Sequence, residues 1–159
     1  MSRPSEDLAL LLLRLGAGLG IALAHGLEKV TNLASGDLRF VEGVGKMGFP
    51  SPLVFAWASA LAELVGGICL ALGLGTRAFA AVAAFNMAVA AFLRHQAHQW
   101  LAVALGLRQI PEETLKAWGK PELALLYLLA FVVLLLTGPG RMSLDALLAP
   151  KPAKKRVWK

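Results

Sequence analysis

Four apolar runs divide the chain, each bounded by glycine, proline or charged residues. The first, Leu8 to Leu27, is about 20 residues long, which at 1.5 Å of rise per residue matches the roughly 30 Å hydrocarbon core of a bilayer. The second, Leu53 to Leu74, has a similar length, keeps Glu63 as its strongly polar position, and closes at Gly73 and Gly75. A third starts at Ala78 and stays apolar to Leu93 apart from Asn86, ending in the polar stretch RHQAHQW. The fourth, Leu123 to Thr137, is shorter at about 15 residues, but Pro121 and Glu122 can start its helix in the headgroup layer. Aliphatic residues fill these runs continuously instead of striping one face, the pattern of helices whose surroundings are lipid. The expected fold is an all-α integral membrane four-helix bundle over residues 1–150, with spans at about 8–29, 53–74, 78–98 and 121–138 and a tail at 151–159.

The connecting segments differ in kind. Val30 to Pro52 is rich in glycine and polar residues and reads as a loop or short surface helix. A tight turn through Thr76 and Arg77 links the second and third runs. Leu101 to Leu107 is apolar but too short to span, and together with Pro111, Glu112 and Glu113 it is expected to lie on the membrane. Small residues recur four apart at Gly16 and Gly20, Ala62 and Gly66, and Ala84 and Ala88, a spacing that lets helix backbones approach closely in lipid. The first run is too long for a signal-peptide apolar region and ends in HGLEK instead of a small-residue cleavage site, so it is expected to be retained.

Composition strengthens the membrane reading: 57% of residues are hydrophobic and 16% charged, against roughly 45–50% and 25% in soluble domains. The net charge of +6 does not point to nucleic acid, because the basic residues lack the interleaved aromatics of a nucleic-acid surface. Several lie in the tail KPAKKRVWK, which is suited to the anionic headgroups of the cytoplasmic leaflet. That placement predicts an inner-membrane protein with both termini cytoplasmic. Cys69 is the single cysteine, so a disulfide or thiol pair within the chain is excluded. A GAGLG stretch inside the first run reads as helix packing and not as a dinucleotide loop.

With the spans drawn, the polar residues gather toward the outer half. His25, Glu28 and Lys29 close the first helix; Glu63 lies roughly 15 Å below the outer start of the second. Asn86 sits at mid-depth in the third, with Arg94, His95 and His98 at its outer end, while Glu122 and Tyr127 descend on the fourth. A carboxylate in hydrocarbon costs at least about 2.5 kcal/mol, so Glu63 should face the interior, paired with a base such as Lys29 or Arg94 or else protonated. Its alternatives are a buried pair that fixes helix register and a chemical site. The histidines divide in the same way between interfacial snorkelling and ligand contact. His25 with Glu28, and His95 with His98, are spaced i and i+3 and would share helix faces, a metal-like pattern. A haem between His25 and His95 is a further arrangement, but helical bundles carry such polar clusters without metal, and no metal is assigned.

The order of motifs resembles the DoxX family of small four-helix membrane proteins, from about Leu11 to Leu147. The resemblance rests on LLRLGAGLGIALAHGLEKV, GFPSP, AELVGGICLALGLGTR, NMAVAAFLRH and PELALLYLLAFVVLLLTGPGRMSLD. Its matching positions are Arg14, His25, Gly26, Lys29, Glu63, Gly66, Gly67 and the Gly138, Pro139, Gly140 triplet. It implies an oxidoreductase component, with relatives linked to thiosulfate:quinone oxidoreductase and to assemblies handling sulfur, superoxide or thiol stress. The functional expectation is a quinone or small sulfur-containing anion bound in the outer-half pocket. Glu63 and His25 carry the chemistry there, and Glu28, Lys29, Asn86, Arg94, His95, His98 and Tyr127 line the site. A membrane or peripheral redox protein, or a second copy of the chain, is the expected partner. The alternative is a non-catalytic scaffold, permeation or partner-binding module.

Overall fold

The computed structural model describes residues 4–150, and they form helices and connecting turns throughout. Helix α1 (Pro4–Ile21) passes through a π turn at Ala22–Gly26 into α2 (Leu27–Ala34), making one apolar rod of 31 residues. α3 (Arg39–Lys46) is a short helix within the glycine-rich segment, and α4 (Pro52–Leu72) is the second long helix. α5 (Thr76–Val89) continues through a second π turn, Ala90–Arg94. Beyond it come α6 (Ala97–Ala104), α7 (Glu112–Trp118), α8 (Glu122–Thr137) and α9 (Leu144–Leu148). Among the described residues, three helices are long and apolar enough to cross a membrane, and α7 with α8 makes a fourth if that pair, bent by 41°, is taken as one span. α8 alone has 16 residues, about 24 Å of rise, and so needs the bilayer to thin or its flanking residues to reach the interface.

The bundle is two packed pairs, α1 on α4 and α5 on α8, joined where α4 meets α5. Its core is Ile21, Leu70, Met87, Phe131 and Leu134 together with the alanines of α5. Leu12, Leu126 and Leu136 stand exposed on the outside, a placement that costs nothing in lipid because acyl chains are as apolar as leucine.

Of the expected glycines only Gly20 lies at a close approach, to the Tyr127 side chain, and the backbone seam falls elsewhere. A Cβ on Gly16 would meet nothing within 4 Å, and one on Gly66 would make only an ordinary contact with Phe79. The tight seam is Gly18 against Gly67, where a Cβ on either would lie 2.6 Å from the other's carbonyl oxygen. The four-residue spacing holds in kind, but the buried stripe on α1 runs through Arg14, Gly18 and Ala22, two residues out of phase with Gly16 and Gly20. The first run contains glycine on both faces, so spacing alone does not choose between them.

At the end of the bundle that holds the described termini, residues 138–148 fold back over the helix ends. The Asp145 carboxylate accepts hydrogen bonds from the backbone N–H groups of Gly75 (2.7 Å) and Thr76 (2.9 Å), capping α5 from a distant part of the chain. The Asp145 amide donates to Gly73 O at 2.8 Å. Arg14, fully buried, donates to Met142 O. Asp7 accepts from the Arg141 amide at 2.9 Å. Gly73 closes α4 at φ 69°, and any side chain there would strike the Arg14 guanidinium and Ser143.

Burial tends to raise the Asp145 carboxyl, but the Thr76 and Gly75 amides and the nearby Arg14 charge outweigh it and hold the group below the ordinary carboxylate range. The folded value therefore lies under the unfolded one, so this stabilisation is complete above the unfolded value and is lost as pH falls through the folded one. Asp145→Asn is expected to weaken the fold by about 2 kcal/mol near neutrality. The gap in melting temperature between the two proteins should narrow below pH about 4. A gap that stays constant across that range would contradict the capping role.

Candidate functional site

At the opposite end the bundle opens into a cavity of about 830 Å³, within the range of small-molecule sites. Its most buried polar group is Glu63, 3% exposed, on the face of α4 turned toward α1 and α5. Lys29 Nζ donates to Glu63 Oε1 at 2.6 Å and Asn86 Nδ2 donates to the same oxygen at 2.9 Å. Three helices thus meet at one carboxylate oxygen. The second oxygen, Oε2, is buried without a hydrogen-bond partner among the described residues. Lys29 also lies 4.8 Å from the centre of the Phe40 ring, so α3 provides a cation–π face to the same cation.

The π turn at Ala22–Gly26 helps set this geometry. Leu27 N–H bonds to Ala22 O instead of to the carbonyl four residues back, inserting one residue into the turn and rotating the remainder of the rod about its axis. Gly26 is needed beyond it, since a Cβ there would run into the backbone of Glu63 and Leu64. Close approach of the two backbones brings Lys29 to the carboxylate. His25 and Tyr127 meet edge to face at 6.2 Å, and Tyr127 stacks on Phe131 at 5.8 Å. The Tyr127 hydroxyl sits in the notch left by Gly20, 2.6 Å from where a Cβ would be.

Of the expected site residues, His25, Glu28, Lys29, Glu63, Asn86, Arg94, His95 and Tyr127 all line the cavity. His98 does not: it is exposed on α6, as Glu122 is on α8. The expected shared helix face of His95 and His98 is broken because the helix ends at Arg94 and Gln96 takes a left-handed turn at φ 51°. Arg94 and His95 have structural partners as well. Arg94 donates to Ala117 O at 3.3 Å, and His95 Nδ1 lies 2.6 Å from Trp118 O. Trp100 Nε1 donates to Gly119 O at 3.1 Å. These bonds pin the end of α7 beside the cavity.

Sequence reading missed Asp37, Arg39 and Phe40, which also line the cavity. They belong to the glycine-rich segment, which lacks a spanning pattern, and only the packing of Val44 with Leu33, Ala56 and Ala60 brings α3 over the opening. Arg39 pairs with Asp37 at 2.5 Å at the start of that cover. The Arg39 side-chain hydrogen bond holds the Asp37 carboxyl below its ordinary value.

An all-α membrane bundle with a buried carboxylate–lysine–amide cluster under an apolar cavity defines the class of protein. The chain belongs to the DoxX family, whose model matches residues 9–96. That match contains His25, Lys29, Glu63, Asn86, Arg94 and His95, whereas Tyr127 on α8 and the closing segment around Asp145 lie beyond it. No curated protein and no solved structure matches the chain.

Lys29→Met should leave Glu63 without its counter-charge and cost roughly 2–4 kcal/mol, toward the lower side for a buried pair because Lys29 is partly exposed. Lys29→Met with Glu63→Leu should recover most of that loss. Unfolding of both single variants and the double in detergent measures the coupling, and simply additive losses would contradict the pair.

Proposed function

We propose that this chain is a subunit of a membrane oxidoreductase system and binds a quinone head in the Glu63 cavity. The observation that carries the reading is the divided state of the Glu63 carboxylate: Oε1 is held by Lys29 and Asn86, while Oε2 is buried and unpartnered among the described residues. A buried polar atom without a partner is costly, and a ligand hydroxyl would supply a donor to it. His25 and Tyr127, lining the same cavity, supply N–H and O–H groups suited to a carbonyl oxygen. The residues present therefore fit the quinol form of a quinone, one hydroxyl donating to Glu63 Oε2 and the other oxygen accepting from His25 or Tyr127.

A bound quinone supplies two-electron, two-proton chemistry. The protein's own part is to seat the ring, exclude water and handle protons. With a quinol bound, Glu63 Oε2 would accept one hydroxyl proton and His25 the other, while Lys29 and Asn86 hold the carboxylate still. The electrons are exchanged with a membrane or peripheral redox protein. A small sulfur-containing anion fits less well, because Lys29 is already neutralised by Glu63 at 2.6 Å and most of the lining is apolar. The inner membrane is the proposed location, with both termini cytoplasmic. The tail residues that argue for this orientation, 151–159, lie outside the described residues.

Lipid extracted from the purified protein should contain quinone, and Glu63→Gln and His25→Ala should each lower quinone-linked turnover by about 10²-fold or more. If no quinone co-purifies, turnover is unchanged and Glu63→Gln disturbs only assembly, the protein is a non-catalytic scaffold or permeation module. A reporter fused to the C-terminus should be active only in its cytoplasmic form, and an externally active fusion would reverse the orientation.

A further inference from the structure

The cavity has an apolar side wall that is also part of the outer surface. On α4 its lining includes Phe55, Ala58 and Ala62, and on α5 it includes Val82, Phe85 and Val89, two stripes at three- and four-residue spacing. Phe55 is 40% exposed, Val82 51% and Phe85 70%. Side chains that line an internal cavity and also face the bilayer mark an opening in the wall. On the α1–α4 side the rod is held against α4 at the level of Glu63 by Gly26, where a Cβ would run into the backbone of Glu63 and Leu64. The α4 and α5 helices are joined through Gly73 and Gly75 at the far end, so the slot lies in the half that holds Glu63.

Depth restricts what can use this slot. Glu63 is eleven residues along α4 from Pro52, about 16 Å below that end and near the middle of a roughly 30 Å hydrocarbon core. A phospholipid keeps its charged head at the interface and would have to drag it to the midplane to reach Glu63. A compact, uncharged ring on a long apolar chain already resides at that depth.

Resting on the Glu63 reading above, we propose that the ligand enters sideways from the membrane between α4 and α5. Its head goes to Glu63, and its apolar chain stays in the slot formed by Phe55, Val82 and Phe85. The slot thus selects for a chain-bearing, membrane-resident quinone over a water-soluble ring.

The full-length protein in phosphatidylcholine nanodiscs tests this. Two benzoquinols with the same head, one bearing a ten-carbon chain and one without a chain, are kept reduced and equilibrated with loaded and empty discs, and the retained excess is measured. Val82→Trp, which fills the slot from its exposed side, should lower retention of the chain-bearing form roughly tenfold and leave the chainless form unchanged. Phe85→Ala should keep both heads bound and shrink the advantage of the chain. Retained binding of the chainless form serves as the check that each variant is folded. If Val82→Trp affects both forms equally, or neither, the slot is not the route and the Glu63 site stands without it. If wild-type protein retains neither form above empty discs, the quinone reading falls and the slot falls with it.

Discussion

A carboxylate carried toward the middle of a bilayer must be met by partners from the protein, because hydrocarbon offers none. In this chain Glu63 is that group, and it fixes the positions of three helices. Lys29 reaches it only because a π turn and Gly26 bring the first rod close to α4. Asn86 reaches it from α5. Helix association in lipid gains little from the hydrophobic effect, so such polar links and close small-residue seams set the arrangement.

The two ends of the bundle solve the problem of polar groups in opposite ways. Around Arg14 and Asp145, side chains bond to main-chain groups, Arg14 to Met142 O and Asp145 to the Gly75 and Thr76 amides, and the end is closed, although Arg14 Nε and Nη1 are buried without partners among the described residues. Around Glu63, side chains meet one another and leave a cavity, with α3 as a partial cover. A rigid closed end gives the open end a fixed base, and a preorganised site needs its groups held by such supporting contacts.

The architecture is legible in the sequence because length and hydropathy measure the bilayer directly. That Glu63 meets a base is legible for the same reason, since depth comes from counting residues and buried charge seeks its opposite, but the count leaves Lys29 and Arg94 both open and only the structure chooses Lys29. Other features resist. Gly16 and Gly18 are equivalent in a helix that is apolar on every face, so the seam cannot be phased. His95 and His98 share a face by spacing, but the left-handed Gln96 breaks the helix between them, and single-residue backbone reversals at non-glycine positions carry little sequence signal. Asp145 stands in a conspicuous motif without a visible role, since its partners are amides of Gly75 and Thr76 and backbone groups leave no mark in side-chain patterns.

The separation in sequence between Asp145 and the amides it binds also orders how the protein is made. The first turn of α5 receives its acceptor from a residue about seventy positions downstream. During synthesis α5 therefore enters the membrane without that acceptor, which arrives only once residue 145 has been made. A polypeptide interrupted between residues 137 and 145 carries all four apolar runs yet lacks this closing clasp.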